Sequence, residues 1–221
     1  MTVTTAPLDA LAVYDAALDR AAAGVPAVLT LRDEFGAEQR VDAASWCRTH
    51  LPGDRRLLDR CAGPTLDIGC GPGRLTLALN RRGHPALGID ISAAAVRLAR
   101  ARGATALRRD VFAPLPGQGR WRHLLLADGN IGIGGDPARL LRRCRRLIGP
   151  GGTVLVEVDP PGSGSWSGPV ALVDDRRTSA PFAWAFIAAD DLAALAGAAA
   201  LRHIETWTEA GRWFARLATL D

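Results

Sequence analysis

The sequence predicts an α/β fold built on a doubly wound, mostly parallel sheet. Two observations carry this prediction. From residue 63 onward short apolar strands alternate with helical segments, and several of these strands end in an acidic residue. Repeated strand-helix-strand units imply right-handed crossovers, which cover both faces of a parallel sheet with helices. At 221 residues the chain is long enough for one large domain with an added segment.

The first predicted strand, residues 65–68, leads into a glycine-rich turn and then an apolar helical run. The bare backbone N–H groups of such a turn, beside a helix N-terminus, form a pocket for a polar ligand. The spacing is not the Gly-x-Gly-x-x-Gly of dinucleotide-binding proteins, because Gly73 comes too early and Arg74 holds the expected position. A nucleotide-hydrolase phosphate loop is also excluded, since the chain contains no lysine.

The pattern that remains, acid-x-Gly-x-Gly-x-Gly, resembles motif I of the class I S-adenosylmethionine (SAM) dependent methyltransferases. The resemblance implies a Rossmann-like, seven-stranded sheet, with SAM as cofactor and S-adenosylhomocysteine as its product. It also implies that the glycines admit the amino-acid and ribose parts of SAM, and that Asp67 helps to hold the SAM ammonium group. The cofactor-binding residues predicted in this motif are Asp67, Gly69, Cys70, Gly71 and Gly73.

The next two predicted strands, residues 86–89 and 105–109, are also followed by acids. Asp90 is placed to accept hydrogen bonds from ribose hydroxyls. In the resembled family an acid at the position of Asp110 receives the adenine amino group, and the next backbone N–H meets a ring nitrogen. Each acid alone could be an ordinary strand-end residue, but their joint spacing fits one crevice at the carboxyl edge of the sheet. The cofactor-binding residues predicted here are Asp90, Ile91, Asp110 and Val111.

The fourth predicted strand, residues 122–127, ends at the position of motif IV in the resembled family, next to the transferred methyl group. Asp128 and Asn130 are therefore predicted to orient a substrate as catalytic residues, and Asp128 is also assigned to the cofactor site. After the fifth strand, 153–158, the Asp-Pro-Pro sequence does not match the box of nucleic-acid amino-group methyltransferases, because Gly162 replaces its aromatic residue. Residues 162–181 are expected to form a loop over the substrate.

Residues 1–62 are predicted to be an extension that covers SAM and substrate, ahead of a SAM-binding core at residues 63–221. In the resembled family such an N-terminal segment lies over the cofactor pocket. Tyr14, Trp46 and His50 are lid candidates on that resemblance, and the alternative is that the aromatic residues anchor the extension to the core. The expected elements are a helix at 7–23, a hairpin of 27–32 with 38–42, and short helices at 43–50 and 53–61.

The end of the chain is predicted to complete the sheet. A helix is expected at 190–200, and residues 201–207 and 213–217 alternate around Gly211 as an antiparallel pair would. A reversed hairpin here is typical of class I methyltransferases and not of dinucleotide dehydrogenases.

Composition narrows the remaining possibilities. The net charge of +4 rests on 27 arginines, and the densest cluster lies on a helix whose basic face is expected to be solvated, so no nucleic-acid partner is expected. No membrane span and no signal peptide are predicted from the sequence. Scattered cysteines favour free thiols in the cytoplasm over a zinc site, and no metal site is predicted. The arginines of the densest cluster are Arg139, Arg142, Arg143, Arg145 and Arg146.

The function predicted from these patterns is SAM-dependent methyl transfer to a small-molecule acceptor, in secondary-metabolite biosynthesis. The alternatives are an RNA or protein methyltransferase, and a SAM-binding protein of this fold that transfers no methyl group. His50 and His203 are candidate bases for an acceptor that must lose a proton, whereas His123 is expected to be packed inside the fourth strand.

Overall fold

Two sheets organise the chain. The computed structural model describes residues 8–175 and 177–219. The helices are α1 Ala10–Ala22, α2 Ala43–Trp46, α3 Asp54–Leu58, α4 Arg74–Arg81, α5 Ala93–Ala101, α6 Pro137–Leu147 and α7 Leu192–Ala198, with a 3-10 segment at Asn130–Gly135. The strands are β1 Val28–Asp33, β2 Glu38–Asp42, β3 Thr65–Ile68, β4 Ala86–Asp90, β5 Ala106–Arg108, β6 Trp121–Leu126, β7 Ile148–Val158, β8 Trp166–Val173, β9 Phe182–Phe186, β10 Leu201–Glu209 and β11 Arg212–Thr219.

The main sheet has seven strands in the order β10-β11-β7-β6-β3-β4-β5. Neighbours from β7 to β5 are parallel, and β11 is antiparallel to both β7 and β10. The predicted doubly wound, mostly parallel sheet is therefore confirmed, as is the antiparallel pair at the end of the chain. Because the strand order reverses between β3 and β6, their carboxyl ends open a crevice at the place where ligands of such sheets bind.

Local sequence explains where the helices of this sheet begin. The Ser92 hydroxyl accepts a hydrogen bond from the Ala95 N–H at 2.9 Å and caps α5. Asp136 caps α6 through the Arg139 N–H at 2.8 Å, with Pro137 at the first helical position. At the centre of the sheet Leu66, Leu124 and Val156 are fully buried, and each such side chain contributes roughly 1.5–3 kcal/mol.

A second sheet, of four antiparallel strands in the order β2-β1-β8-β9, joins two distant parts of the chain. The β1–β2 pair confirms the predicted hairpin. The prediction of a loop over 162–181 is wrong, because β8 occupies much of that range and pairs with β1. Its Ser, Gly and Pro residues lower the strand propensity, and its partner lies far away in sequence, so no local pattern reveals it.

Helix α1 ties the second sheet to the main sheet. Asp15 accepts a hydrogen bond from the Ser92 hydroxyl at 2.5 Å, which fixes α1 to the start of α5. Arg20 donates to Asp174, just beyond β8, at 3.1 Å. The helix begins at Ala10, and the predicted start at Pro7 lies outside the described residues. The second sheet draws strands from both sides of the predicted boundary at residue 62, and that division of the chain remains a prediction.

Leu29→Ala tests whether the apolar cluster between α1 and the second sheet contributes to the stability of the fold. Leu29 is 1% exposed and packs with Val13, Ala17 and Ala43. Its truncation is expected to lower the free energy of unfolding by about 2–5 kcal/mol through the cavity it leaves. The neighbouring Val28 is exposed, so Val28→Ala should cost less than about 1 kcal/mol. Equal effects in urea unfolding would show that this cluster is not packed as described.

Candidate active site

A cavity of about 750 Å³ lies between the carboxyl edge of the main sheet and the second sheet. Residues at the ends of β3, β4, β5, β6 and β7 form its floor, and α1 and the four strands of the second sheet form its roof. Both sheets are therefore needed to enclose it. The predicted site residues that line it are Gly69, Gly71, Asp90, Ile91, Asp110, Val111, Asp128 and Asn130.

Asp90 joins the glycine turn to the end of β4. Its carboxylate accepts hydrogen bonds from the backbone N–H of Gly71 at 2.9 Å and of Ser92 at 2.8 Å. Burial raises the pKa of Asp90, and these backbone hydrogen bonds oppose the shift. The side chain thus holds two loops in register while it faces the cavity.

Asp67, Cys70 and Gly73 lie beneath the turn and do not line the cavity. Asp67 is 2% exposed, and its carboxylate accepts from the N–H of Thr76 at 3.1 Å and from its hydroxyl at 2.7 Å. Burial raises the pKa of Asp67 to about 6. Cys70 is a buried thiol, and Gly73 is the left-handed residue ahead of α4. The side chains of Asp67 and Cys70 are buried in the core and do not face the cavity, and Gly73 supplies the left-handed backbone beneath it.

Asn130 clamps the glycine turn from the neighbouring loop. Its side-chain amide donates to the carbonyl oxygens of Ile68 at 3.0 Å and of Gly69 at 2.9 Å. Gly69 has a φ of +71°, and a Cβ there would lie 2.7 Å from Asn130 Nδ2, so only glycine allows this approach. The Asn130 amide therefore fixes the turn and is not free to orient a substrate, while its oxygen has no donor among the described residues.

Asp128 is held by two arginines. Its carboxylate pairs with Arg74 at 2.5 Å and with Arg212 at 3.0 Å. Both arginines also pair with Asp54 of α3, Arg212 at 2.9 Å. Burial raises the pKa of Asp128 despite Arg74, and Glu157 adds to the rise. For Asp54, burial is outweighed by the bonds to Arg74, and its pKa lies below the ordinary value.

Glu157, at the end of β7, completes this charge cluster. Arg212 binds it with both sides of its guanidinium, from Nε at 2.8 Å and from Nη2 at 2.7 Å. The backbone N–H of Asp128 also donates to Glu157, at 2.6 Å. Burial acts to lower the pKa of Arg212, but its bonds to Glu157 outweigh burial and raise it. We call Asp54, Arg74, Asp128, Glu157 and Arg212 the charge cluster.

The sequence prediction missed most of the charge cluster. Arg74 and Glu157 stand beside recognised strand ends, and an arginine next to a glycine turn was a usable signal. Arg212 follows a hairpin turn and reaches Asp128, 84 residues away. No local spacing connects two residues at that separation, so only the folded chain reveals the pair.

Two of the three predicted lid residues line the cavity, and the third does not. Tyr14 and Trp46 line the cavity, and their rings meet edge to face at 5.6 Å. Burial, with Asp90 nearby, raises the pKa of Tyr14. His50 does not line the cavity, so its predicted lid role is not supported.

Neither candidate base reaches the cavity. His50 is exposed, and the imidazole of His203 hydrogen-bonds the Thr206 hydroxyl at 2.8 Å on β10. His123 is packed as predicted, 6% exposed between Thr153 and the Ala62 carbonyl.

Part of the predicted solvated face of α6 braces the cavity floor. Arg143 donates to the carbonyl oxygens of Val111 at 2.8 Å and of Ala113 at 2.6 Å. The Arg139 guanidinium lies 4.0 Å from the centre of the Phe112 ring. The prediction is wrong for Arg143, because the loop after β5 folds back over α6 and offers it carbonyl partners. Arg139 is exposed as predicted, although it also contacts the Phe112 ring.

Other features of the described residues concern cysteine and metal chemistry. The four cysteines are free thiols. Within residues 8–175 and 177–219, no group of three or more His, Cys, Asp or Glu side chains could hold a metal ion. None of the helices in the described part of the chain has the length and apolar character needed to cross a membrane.

Residues 65–152 match the family model described as a methyltransferase domain. This segment is therefore similar to the methyltransferase domains that the model describes. The chain is also similar to trans-aconitate 2-methyltransferase of Paracidovorax citrulli, with 34% identity over 101 residues, which are 44% of this chain and 39% of that protein.

Solved structures share the fold of this chain. A SAM-dependent methyltransferase from Bacteroides fragilis, in complex with S-adenosyl-L-homocysteine, has a TM-score of 0.79 at 23% identity, covering 99% of this chain and 100% of that chain. The 1,6-didemethyltoxoflavin-N1-methyltransferase of Burkholderia thailandensis has a TM-score of 0.55 at 20% identity, covering 76% and 75%. These likenesses show the class I methyltransferase fold. The chain spans only 39% of the length of the trans-aconitate 2-methyltransferase that it resembles.

Arg212→Met tests the charge cluster. The substitution leaves three acids with Arg74 as their only cation, and we expect the free energy of unfolding to fall by about 3–5 kcal/mol because a buried charge loses its partner. Arg216→Met on the same strand is the matched control, since Arg216 makes one half-exposed pair with Glu205 and should contribute less than about 1 kcal/mol. Equal losses in urea unfolding would contradict the role given to Arg212.

The raised pKa of Asp67 predicts a dependence of stability on pH. Because this pKa rises from 3.8 to about 6 on folding, the native state binds more protons than the unfolded chain between these values. Stability from this group is therefore lost as the pH rises through that window. Asp67→Asn removes the titration and keeps an oxygen for Thr76. The free energy of unfolding of the variant, relative to wild type, should rise by about 2 kcal/mol from pH 4 to pH 7; a constant difference would contradict the assignment.

Proposed function

We propose that this protein is a SAM-dependent methyltransferase acting on a small-molecule acceptor. One observation carries the proposal. In a chain with the class I methyltransferase fold, the carboxyl ends of β3, β4 and β5 bring Gly71, Asp90 and Asp110 to the wall of one enclosed cavity. This is the arrangement that the glycine turn and the two downstream acids were predicted to form.

The polar groups on this wall fit SAM. Each Asp90 oxygen accepts one backbone N–H, and an ionised carboxylate oxygen can accept a second bond, here from a ribose hydroxyl. Asp110 accepts the Phe112 N–H at 2.9 Å through one oxygen, which leaves the other for the adenine amino group. Among the described residues, no acceptor is bonded to the backbone N–H of Val111, so it is available to a ring nitrogen.

Methyl transfer from SAM asks the protein mainly for alignment and for exclusion of water, because the sulfonium already activates the methyl group. The roof of the cavity supplies the exclusion. We propose that Asp128 and Asn130 act in alignment: Asn130 fixes the glycine turn, and the charge cluster fixes the loop that carries both residues. Asp128 binds two arginines, so we assign it to positioning and not to proton transfer.

The enclosed cavity favours a small acceptor over an RNA or a protein segment. The roof strands cover the carboxyl edge of the sheet, where a macromolecular substrate would have to enter. By their names, the relatives from Paracidovorax citrulli and Burkholderia thailandensis also act on small molecules.

We propose a role in metabolite biosynthesis on the basis of these relatives. The four free thiols support a cytoplasmic location.

Calorimetric titration with SAM, S-adenosylhomocysteine, NAD and NADP tests the cofactor. We expect the first two to bind and the nicotinamide nucleotides not to bind. Asp90→Asn should weaken SAM binding about tenfold to a hundredfold, because the ribose hydroxyls lose a charged acceptor. Asp136→Asn, which keeps a helix cap outside the cavity, should leave the affinity unchanged.

Three outcomes would contradict parts of this proposal. Binding of a nicotinamide nucleotide in place of SAM would refute the cofactor assignment. SAM affinity that is indifferent to Asp90→Asn would remove Asp90 from the site. SAM binding without S-adenosylhomocysteine formation across a broad metabolite panel would favour a binding protein that transfers no methyl group.

A further inference from the structure

The carboxylate of Asp159 differs from every other acid on the cavity wall. Six acids line the cavity: Asp9, Asp90, Asp110, Asp128, Glu157 and Asp159. The first five each accept a hydrogen bond or an ion pair. Within the described residues nothing donates to the Asp159 side chain, although its backbone is fixed by Ile187 and Ala189. An anchored residue thus presents an unpartnered carboxylate.

The surroundings of Asp159 make that unpartnered charge costly. The residue is half-buried, and burial together with the neighbouring Glu157 raises its pKa. Arg212 cannot relieve it, because its guanidinium is already shared among Asp54, Asp128 and Glu157. A cationic ligand group would supply the missing partner.

Asp159 lies away from the part of the cavity assigned to SAM. It directly follows β7, and β6 separates β7 from β3. Two strand spacings are roughly 10 Å, whereas the proposed cofactor contacts lie at the ends of β3, β4 and β5. We call the region over β6 and β7 the acceptor half.

The roof above Asp159 suits an apolar body with a cationic head. The roof of the cavity is mainly aromatic and aliphatic, and ring faces attract cations. Arg109 is the cavity's one basic lining residue among those described, and it belongs to the β5 side, where it donates to the Arg108 carbonyl at 2.9 Å. Among the described residues, Arg74 and Arg212 lie near β6 and β7 but are paired with acids and do not line the cavity, so a carboxylate ligand would find no free cation on this wall. The apolar residues of the roof include Leu31, Leu172, Phe182, Trp184 and Phe186. Of these, Phe186 precedes Ile187, whose carbonyl oxygen accepts the Asp159 N–H at 2.8 Å.

We propose that the acceptor half binds a small molecule with an apolar body and an amino group, and that the ammonium form of this group pairs with the Asp159 carboxylate. This inference rests on the proposed function, because SAM in the other half of the cavity defines the acceptor half. It names the class of acceptor and leaves open which of its atoms receives the methyl group.

Three probes of one shape test the inference: 2-phenylethylamine, 2-phenylethanol and 3-phenylpropanoate. Each is titrated by calorimetry or NMR into the full chain saturated with S-adenosylhomocysteine. The amine should bind at least tenfold more tightly than the alcohol, and the carboxylate more weakly than both. Asp159→Asn should reduce the amine affinity to that of the alcohol and leave the alcohol affinity unchanged. Glu34→Gln, an exposed carboxylate outside the cavity, should change neither.

Wild-type chain alone can overturn the inference, so the test does not depend on folding of the variant. Equal or tighter binding of the alcohol or the carboxylate, or binding of none of the three probes, would refute it. An amine preference that survives Asp159→Asn would do the same. The saturation step separates this failure from a larger one: a chain that does not bind S-adenosylhomocysteine refutes the proposed function, whereas one that binds it without amine preference refutes only the acceptor class.

Discussion

The charge cluster is the interaction on which the geometry of the cavity depends. Its three acids and two arginines come from α3, the start of α4, the loop after β6, the end of β7 and the start of β11. Burying one such charge alone would cost several kcal/mol, so each member is stable there only while its partners are in place. The charge cluster therefore holds the strand ends that carry the site in fixed positions relative to one another.

The floor and the roof of the cavity have different physical origins. The floor is built by strand ends of a parallel sheet, where each loop is short and is set by the strand before it. The roof is a separate antiparallel sheet that forms only when the N-terminal hairpin meets β8. Polar groups face the cavity mainly from the floor, and apolar and aromatic groups face it from the roof. Such a division lets polar groups of the floor orient both ligands while the apolar roof covers them.

The sequence predicted the floor far better than the roof. Gly69 to Gly73, Asp90 and Asp110 are each readable from a strand and the few residues after it, and the structure brings Gly69, Gly71 and both acids to one wall. The strand β8 was missed because its pairing with β1 is non-local. Asp67 was assigned to the cofactor because a motif specifies residue type and spacing but not the direction of a side chain, which here points to Thr76.

Backbone hydrogen exchange with and without S-adenosylhomocysteine tests most directly where the cofactor binds. We expect the backbone amides of residues 69–73, 90–92 and 110–112 to exchange more slowly in the bound state. This includes the Val111 N–H, which has no acceptor among the described residues. Strand β10, on the far edge of the main sheet, should exchange at the same rate in both states. Binding that leaves the three segments unchanged, or that protects only residues elsewhere, would contradict the assignment of the cavity floor to SAM.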